Sequence, residues 1–297
     1  MYFTGGTLGV VVPGSPAEQA GLRRGDRLLT LDGQAPGPGV NDGLPTGPQV
    51  HLEVQRGAAR WSLSLNRADT PVFQTWPTGQ LLPGGVGLVT LPDCHLEGIC
   101  AGGEPYQDVL AALLRELAEQ GAQRWVIDLR LNLGGNMWPM VAGLGPLLGD
   151  GLLGAFVRGE ERWCWWHRDG QAGMDAEPIC QVSGLPIGTL APESPVAVLN
   201  SPLTASSGEI VTVSCLGRSG TRLFGEATRG LTTCNSMYPL PDGATLFITT
   251  ALDADRTGTV YDTALLPDEP VQIDWAAFQT PNDPVLNAAL HWLTTNC

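Results

Sequence analysis

The stretch Thr204-Ala205-Ser206-Ser207-Gly208-Glu209-Ile210 separates an apolar run at residues 195–199 from a helical pattern over residues 208–216. Strand, short turn and helix in that order read as a unit of an α/β core. A hydroxyl at such a junction lies at a helix N-terminus, where free backbone N–H groups and the helix dipole favour developing negative charge. Ser206 there suits a nucleophile, with the N–H of Ser207 beside it to hold an oxyanion. The alternative is a Ser that only caps the helix.

Working outward, the run Asp128-Leu129-Arg130-Leu131-Asn132-Leu133-Gly134-Gly135-Asn136-Met137 closes another buried strand, at residues 125–129, and opens a Gly-Gly turn. Glycines let backbone N–H groups approach a ligand closely. An ordinary tight strand-to-helix turn accounts for the same residues. Strands at residues 86–91, 125–129 and 195–199 alternate with helical spacing at residues 107–120 and 208–216, which predicts an α/β core. A last helix is predicted over residues 285–293.

The first third of the chain has a different texture. Residues 7–12 read as a strand, and Ser15-Pro16 followed by Gly21 brackets a short helix. Residues 50–54 and 59–65 alternate around Arg56-Gly57 as a hairpin. Pro and Gly crowd residues 35–48, which excludes a helix there. The same residue types over residues 68–85 read as a linker. The expected organisation is a small β-rich domain at 1–69, a linker at 70–85 and an α/β core at 86–297, with residues 150–187 forming a cap or tunnel wall.

Composition narrows the chemistry. The 297 residues are 43% hydrophobic, enough for packed cores, and carry a net charge of −14. No basic stripe exists to neutralise phosphates, so nucleic acid is not an expected partner. No apolar run reaches membrane-spanning length. Residues 1–6 lack the charged and apolar regions of a signal peptide. All 16 basic residues are Arg, which excludes lysine Schiff bases, P-loop lysines and Ser–Lys dyads. The seven Cys form no C-x-x-C pair and read as unpaired thiols; Cys94, His95 and Cys100 lack a second ligand pair for zinc.

Residues 14–26 match the Gly-Ser-Pro-Ala-x-x-Ala-Gly-Leu-x-x-Gly-Asp run of bacterial PDZ domains, short of that family's second helix. The Asp-Leu-Arg-x-Asn-x-Gly-Gly turn, followed by Thr-Ala-Ser-Ser-Gly-Glu, resembles the C-terminal processing (tail-specific) serine peptidases. Gly225–Gly230 and Leu240–Gly243 match two further blocks of that family. The resemblance implies a crotonase-like α/β core, a peptide or protein substrate, and work outside the cytoplasm. Its best-known members place a lysine base where this chain has Leu231. A branch with a histidine base, including the nisin-resistance and tricorn-like peptidases, fits the run Gly134–Met140 better.

Of the four His, the resemblance singles out His95, after the strand at 86–91, as the general base; His167, in Trp163–His167, is the second choice. The expected site is therefore Ser206 and His95, with Ser207, Gly134 and Gly135 as oxyanion donors and Asn136 and Met137 contacting the peptide. No metal or organic cofactor is required. Glu226, Asp242, Asp255 and Asp262 all remain open as the group orienting the histidine. The rival expectation is a non-catalytic peptide-binding member of the same family.

Overall fold

A computed structural model describes residues 1–67, 76–100, 102–184, 190 and 194–295. The chain divides into two compact units, residues 1–74 with 271–287 and residues 75–270 with 288–297. The C-terminal stretch 271–287, read from the sequence as part of the core, thus groups with the N-terminal residues.

The first unit is built on an antiparallel sheet of β1 (Tyr2–Thr4), β2 (Thr7–Val10), β3 (Arg27–Leu31), β4 (Gln49–Arg56) and β5 (Ala59–Asn66), in that order. Phe3, Leu8, Leu28, Leu52 and Val54 alternate inward to form its core. The short helix α1 (Pro16–Gln19) starts where the Ser15 hydroxyl accepts the Glu18 N–H. Asp26 is buried and holds the motif together: it takes Arg56 in a two-pronged ion pair at 2.6 and 2.7 Å and accepts the Arg23 N–H. Between β3 and β4 there is no helix, only turns, as the density of Pro and Gly demands.

The second unit has two sheets. One runs β18 (Glu269–Pro270), β14 (Thr221–Gly225), β13 (Val196–Asn200), β8 (Arg124–Asp128), β7 (Val86–Thr90) and β6 (Thr78–Leu82), parallel except for β6. Strand β6 corrects part of the linker reading, since residues 78–82 pair with the whole of β7. Gly79 looks like loop punctuation in sequence. In the fold it is a close approach, because a Cβ there would stand 3.1 Å from Leu117 Cδ1. Residues 68–75 lie outside the described residues.

The other sheet is antiparallel: β12 (Glu177–Gln181), β11 (Gln171–Met174), β10 (Glu161–Arg168), β9 (Gly151–Arg158), β16 (Thr245–Asp255) and β15 (Thr233–Pro239), with β17 (Val260–Tyr261) added beside β16. Helix α2 (Tyr106–Glu119) packs on β6 and β7; α3 (Met137–Leu148) packs on α2 and on β10–β12. Helix α4 (Ser207–Cys215) packs on β9 and β16, and α5 (Pro284–Thr295) closes the chain. Leu110, Leu114, Ile127, Met140, Leu144, Val198 and Val211 fill the core between these layers.

Candidate active site

Ligands of parallel α/β sheets bind beyond the carboxyl ends of the strands. Here those ends are Thr90, Asp128 and Asn200 on the neighbouring strands β7, β8 and β13. The three loops that leave them carry His95, Gly134-Gly135 and Ser206. Adjacent strands therefore bring together residues that are more than a hundred positions apart.

The middle loop is fixed by buried polar groups. Arg130 and Asp128, both fully buried, pair through two bonds of 2.9 and 2.8 Å. Asn132 stitches all three loops. Its Nδ2 donates to the Leu91 and Pro92 carbonyls, its Oδ1 accepts the Gly134 N–H at 2.9 Å, and its own carbonyl accepts the Ala205 N–H. Ser201 Oγ and Thr204 Oγ1 donate to the carbonyls of Arg130 and Leu129. Side chains satisfy these buried carbonyls where no strand partner can.

Gly134 and Gly135 both have positive φ, +109° and +97°. A Cβ on Gly134 would stand 2.9 Å from the Cβ of Ser206, and one on Gly135 would strike the Cys94 carbonyl. Only glycine permits the turn to press against both neighbours. One expectation needs correcting. Gly134 cannot serve as an oxyanion donor, because its N–H is already given to Asn132 Oδ1. Gly135 lines the cleft, and its carbonyl accepts Ser207 Oγ at 2.6 Å.

Ser206 has φ +53° and ψ −121°, a conformation that a non-glycine residue adopts only under constraint. The constraint is Glu209, one turn into α4. Its buried carboxylate accepts the N–H groups of Ser206, Gly230 and Leu231 and the Thr228 hydroxyl, at 2.5 to 2.9 Å. Burial pushes the Glu209 carboxyl up against the opposing pull of those four bonds. Sequence reasoning missed both Asn132 and Glu209 as site residues. A Glu three positions after Ser206 was the available signal for the second, since that spacing marks a capping box.

The segment bearing His95 is tied to the turn through its neighbour. Cys94 bridges Gly135, with its N–H donating to the Gly134 carbonyl at 3.0 Å and its carbonyl accepting the Asn136 N–H at 2.9 Å. The His95 ring is exposed, and its Nδ1 accepts the Glu97 N–H at 3.4 Å. Among the described residues no hydrogen bond joins His95 to Ser206. A neutral ring that accepts at Nδ1 carries its proton on Nε2, so a base acting through Nε2 must first give up that long bond. The Cys94 thiol is buried and pushed up to about 12, chiefly by desolvation, which leaves it inert.

His167 is placed away from this constellation. Its ring is buried against α3, where a Cβ on Gly145 would touch Nε2, and Nδ1 lies 2.9 Å from Asp150 Oδ1. Burial lowers its pKa despite Asp150. Of the residues considered for orienting a histidine, Asp255 is occupied by Thr257, Thr259 and Tyr261, and Asp242 by Ala244. Asn136 is also occupied. Its Oδ1 caps α3 by accepting the Trp138 N–H, and its Nδ2 donates to the Leu96 carbonyl at 2.9 Å.

A cleft of about 740 Å³ opens over Ser206, Ser207 and Gly135. Leu96, Met137, Phe156, Trp163 and Ile210 make it mostly apolar, and residues 233–237 of β15 line one side.

Comparison with known proteins adds three findings. Residues 85–271, more than half of the chain, match the model of peptidase family S41, and residues 8–40 match that of a PDZ domain. The chain is 31% identical over 182 residues to the nisin-resistance protein of Lactococcus lactis subsp. lactis, covering 61% of this chain and 54% of that protein. It is 29% identical over 302 residues to the carboxyl-terminal-processing protease of Synechocystis, covering 95% and 63%. The chain thus spans a little over half to under two thirds of the length of these curated relatives. An S41 protease of Bacteroides fragilis shares the fold, with a TM-score of 0.63 at 21% identity over 97% of this chain and 78% of that one. The photosystem II D1 C-terminal processing protease does so with a TM-score of 0.58 at 22% identity, over 92% and 71%.

Proposed function

Because the chain belongs to peptidase family S41, we propose that it is a serine peptidase cutting peptide or protein substrates near their C-termini, with Ser206 as nucleophile and His95 as base. Ser206 Oγ attacks the scissile carbonyl while His95 takes its proton. The oxyanion is received by the N–H groups of Ser207 and Gly135, at the N-terminus of α4 and in the Gly-Gly turn. His95 then protonates the leaving amine, and water repeats the sequence on the acyl-enzyme. Met137 flanks the peptide, and Asn136 holds the turn that faces it. The PDZ-like module, which has no helix between β3 and β4, lacks one wall of a complete peptide groove.

The constrained backbone of Ser206 is the observation that carries this reading. A merely structural cap needs no left-handed residue, whereas a nucleophile lifted to the mouth of a cleft does. The lysine of the better-known members is excluded by Leu231, whose side chain is exposed and whose N–H is held by Glu209. A fluorophosphonate probe, followed by mass mapping, tests the nucleophile: adduct on Ser206 is expected, and none on Ser206→Ala. His95→Ala should lower peptide turnover by several orders of magnitude. Unreactive Ser206 in a folded protein would overturn the nucleophile assignment, and peptide binding without hydrolysis would then favour the non-catalytic peptide binder.

A further inference from the structure

The cleft lining mixes apolar side chains with neutral polar ones, and one group in it is charged. Arg158 is the one charged side chain among the described residues that line it. It ends β9, two residues from Phe156 and on the same face of the sheet, with Trp163 of β10 directly opposite Phe156. The guanidinium is oriented from two sides. Glu161, its cross-strand partner, takes Nε at 2.8 Å and Nη2 at 2.7 Å on a single carboxylate oxygen, and the Trp163 ring lies 5.1 Å from Cζ. A guanidinium has five N–H donors. The one oxygen of Glu161 engages the Nε edge, and the Nη1 edge keeps the fork geometry that fits a second carboxylate.

The surroundings make this cation selective. The chain carries a net charge of −14, and no other described residue lining the cleft offers a carboxylate a positive charge. The PDZ-like module has no helix between β3 and β4 and so lacks one wall of the groove with which such modules hold a terminal carboxylate. We propose that Arg158 receives the α-carboxylate of the substrate peptide, so that the catalytic cleft itself reads the free C-terminus. This rests on the peptidase reading above only in placing a peptide in the cleft.

Binding and cleavage are measured separately. Fluorescein-labelled Ala-Leu-Ala-Leu-Ala is prepared as the free acid, as the C-terminal amide, and as an amide ending in Asp. Anisotropy titrations use the Ser206→Ala protein alone, with Arg158→Gln, and with Arg222→Gln, a surface Arg paired to Glu269 outside the cleft. The acid is expected to bind about tenfold more tightly than the amide, the size of one charge-assisted pair at a partly exposed site. Arg158→Gln should erase that difference and Arg222→Gln should keep it. Equal binding of acid and amide, or no binding of the acid at millimolar concentration, overturns the anchor. Tight binding of the Asp-ended amide overturns the preference for the main-chain terminus. Hydrolysis by the parent protein without acid–amide discrimination leaves the peptidase reading standing and removes only the anchor; discrimination without hydrolysis does the reverse.

Discussion

Asp253 should make this protein lose stability as the solution becomes neutral, and Asp253→Asn should remove that loss. The residue lies on β16, two positions from the cleft-lining Ala251, and is fully buried. Neither carboxyl oxygen has a hydrogen-bond partner among the described residues. Desolvation, reinforced by the nearby Glu209, pushes it up to about 8 from an ordinary 3.8; Cys234, which feels its charge, faces it from β15. In the unfolded chain the carboxyl ionises near pH 4, while the fold holds its proton to about pH 8. The folded state binds the extra proton between those limits, so rising pH favours unfolding by about 1.4 kcal/mol per unit. Between pH 5.5 and 8 the wild type should lose about 3 kcal/mol relative to Asp253→Asn. The cost of the unpaired Asn amide is constant with pH, so the slope isolates the titration. Urea unfolding at several pH values gives the two curves. Parallel curves would refute the reasoning, because they would mean that Asp253 is already ionised in the fold.

Three further outcomes follow from the site geometry. Glu209→Gln retains one acceptor oxygen and turns an NH2 toward two of the four donors, so unfolding should become easier by about 3 kcal/mol and kcat should fall with it; an unchanged urea midpoint would contradict the role given to the carboxylate. Ser206→Gly should abolish fluorophosphonate labelling while raising stability by about 1 kcal/mol, since glycine tolerates φ +53° without strain. Asn136→Ala removes a helix cap and the tie to Leu96, so a stability loss of about 1 kcal/mol should accompany any rise in the Michaelis constant; a rise in the Michaelis constant with the urea midpoint unchanged would return the amide to substrate binding.

How much of this was legible in the sequence depended on the range of the interactions involved. The strand-turn-helix passages around Asp128–Met137 and Thr204–Ile210 were readable because each is a local pattern: an apolar run, a glycine or hydroxyl break, then helical spacing. The helices α2, α4 and α5 lie within a few residues of their expected limits for the same reason. Strand β6 was not readable, because an edge strand packed under a helix through Gly79 has neither alternation nor an apolar face. Nor did composition separate residues 271–287 from the core, since their association with residues 1–74 is a matter of contacts distant in sequence.

By itself the sequence determined the α/β class, the family motifs and the exclusion of a lysine base, for these depend on residue identity and short spacing alone. Only the tertiary structure decided which backbone donors remain available at the site. Gly134 and Gly135 look equivalent on the page, yet Asn132 takes the N–H of the first. Ser206 looks like an ordinary cap, yet Glu209, reaching to Thr228, Gly230 and Leu231 as well, holds it left-handed. Each outcome depends on how a polar atom divides its few hydrogen bonds among partners from separate strands, and no local pattern encodes that division.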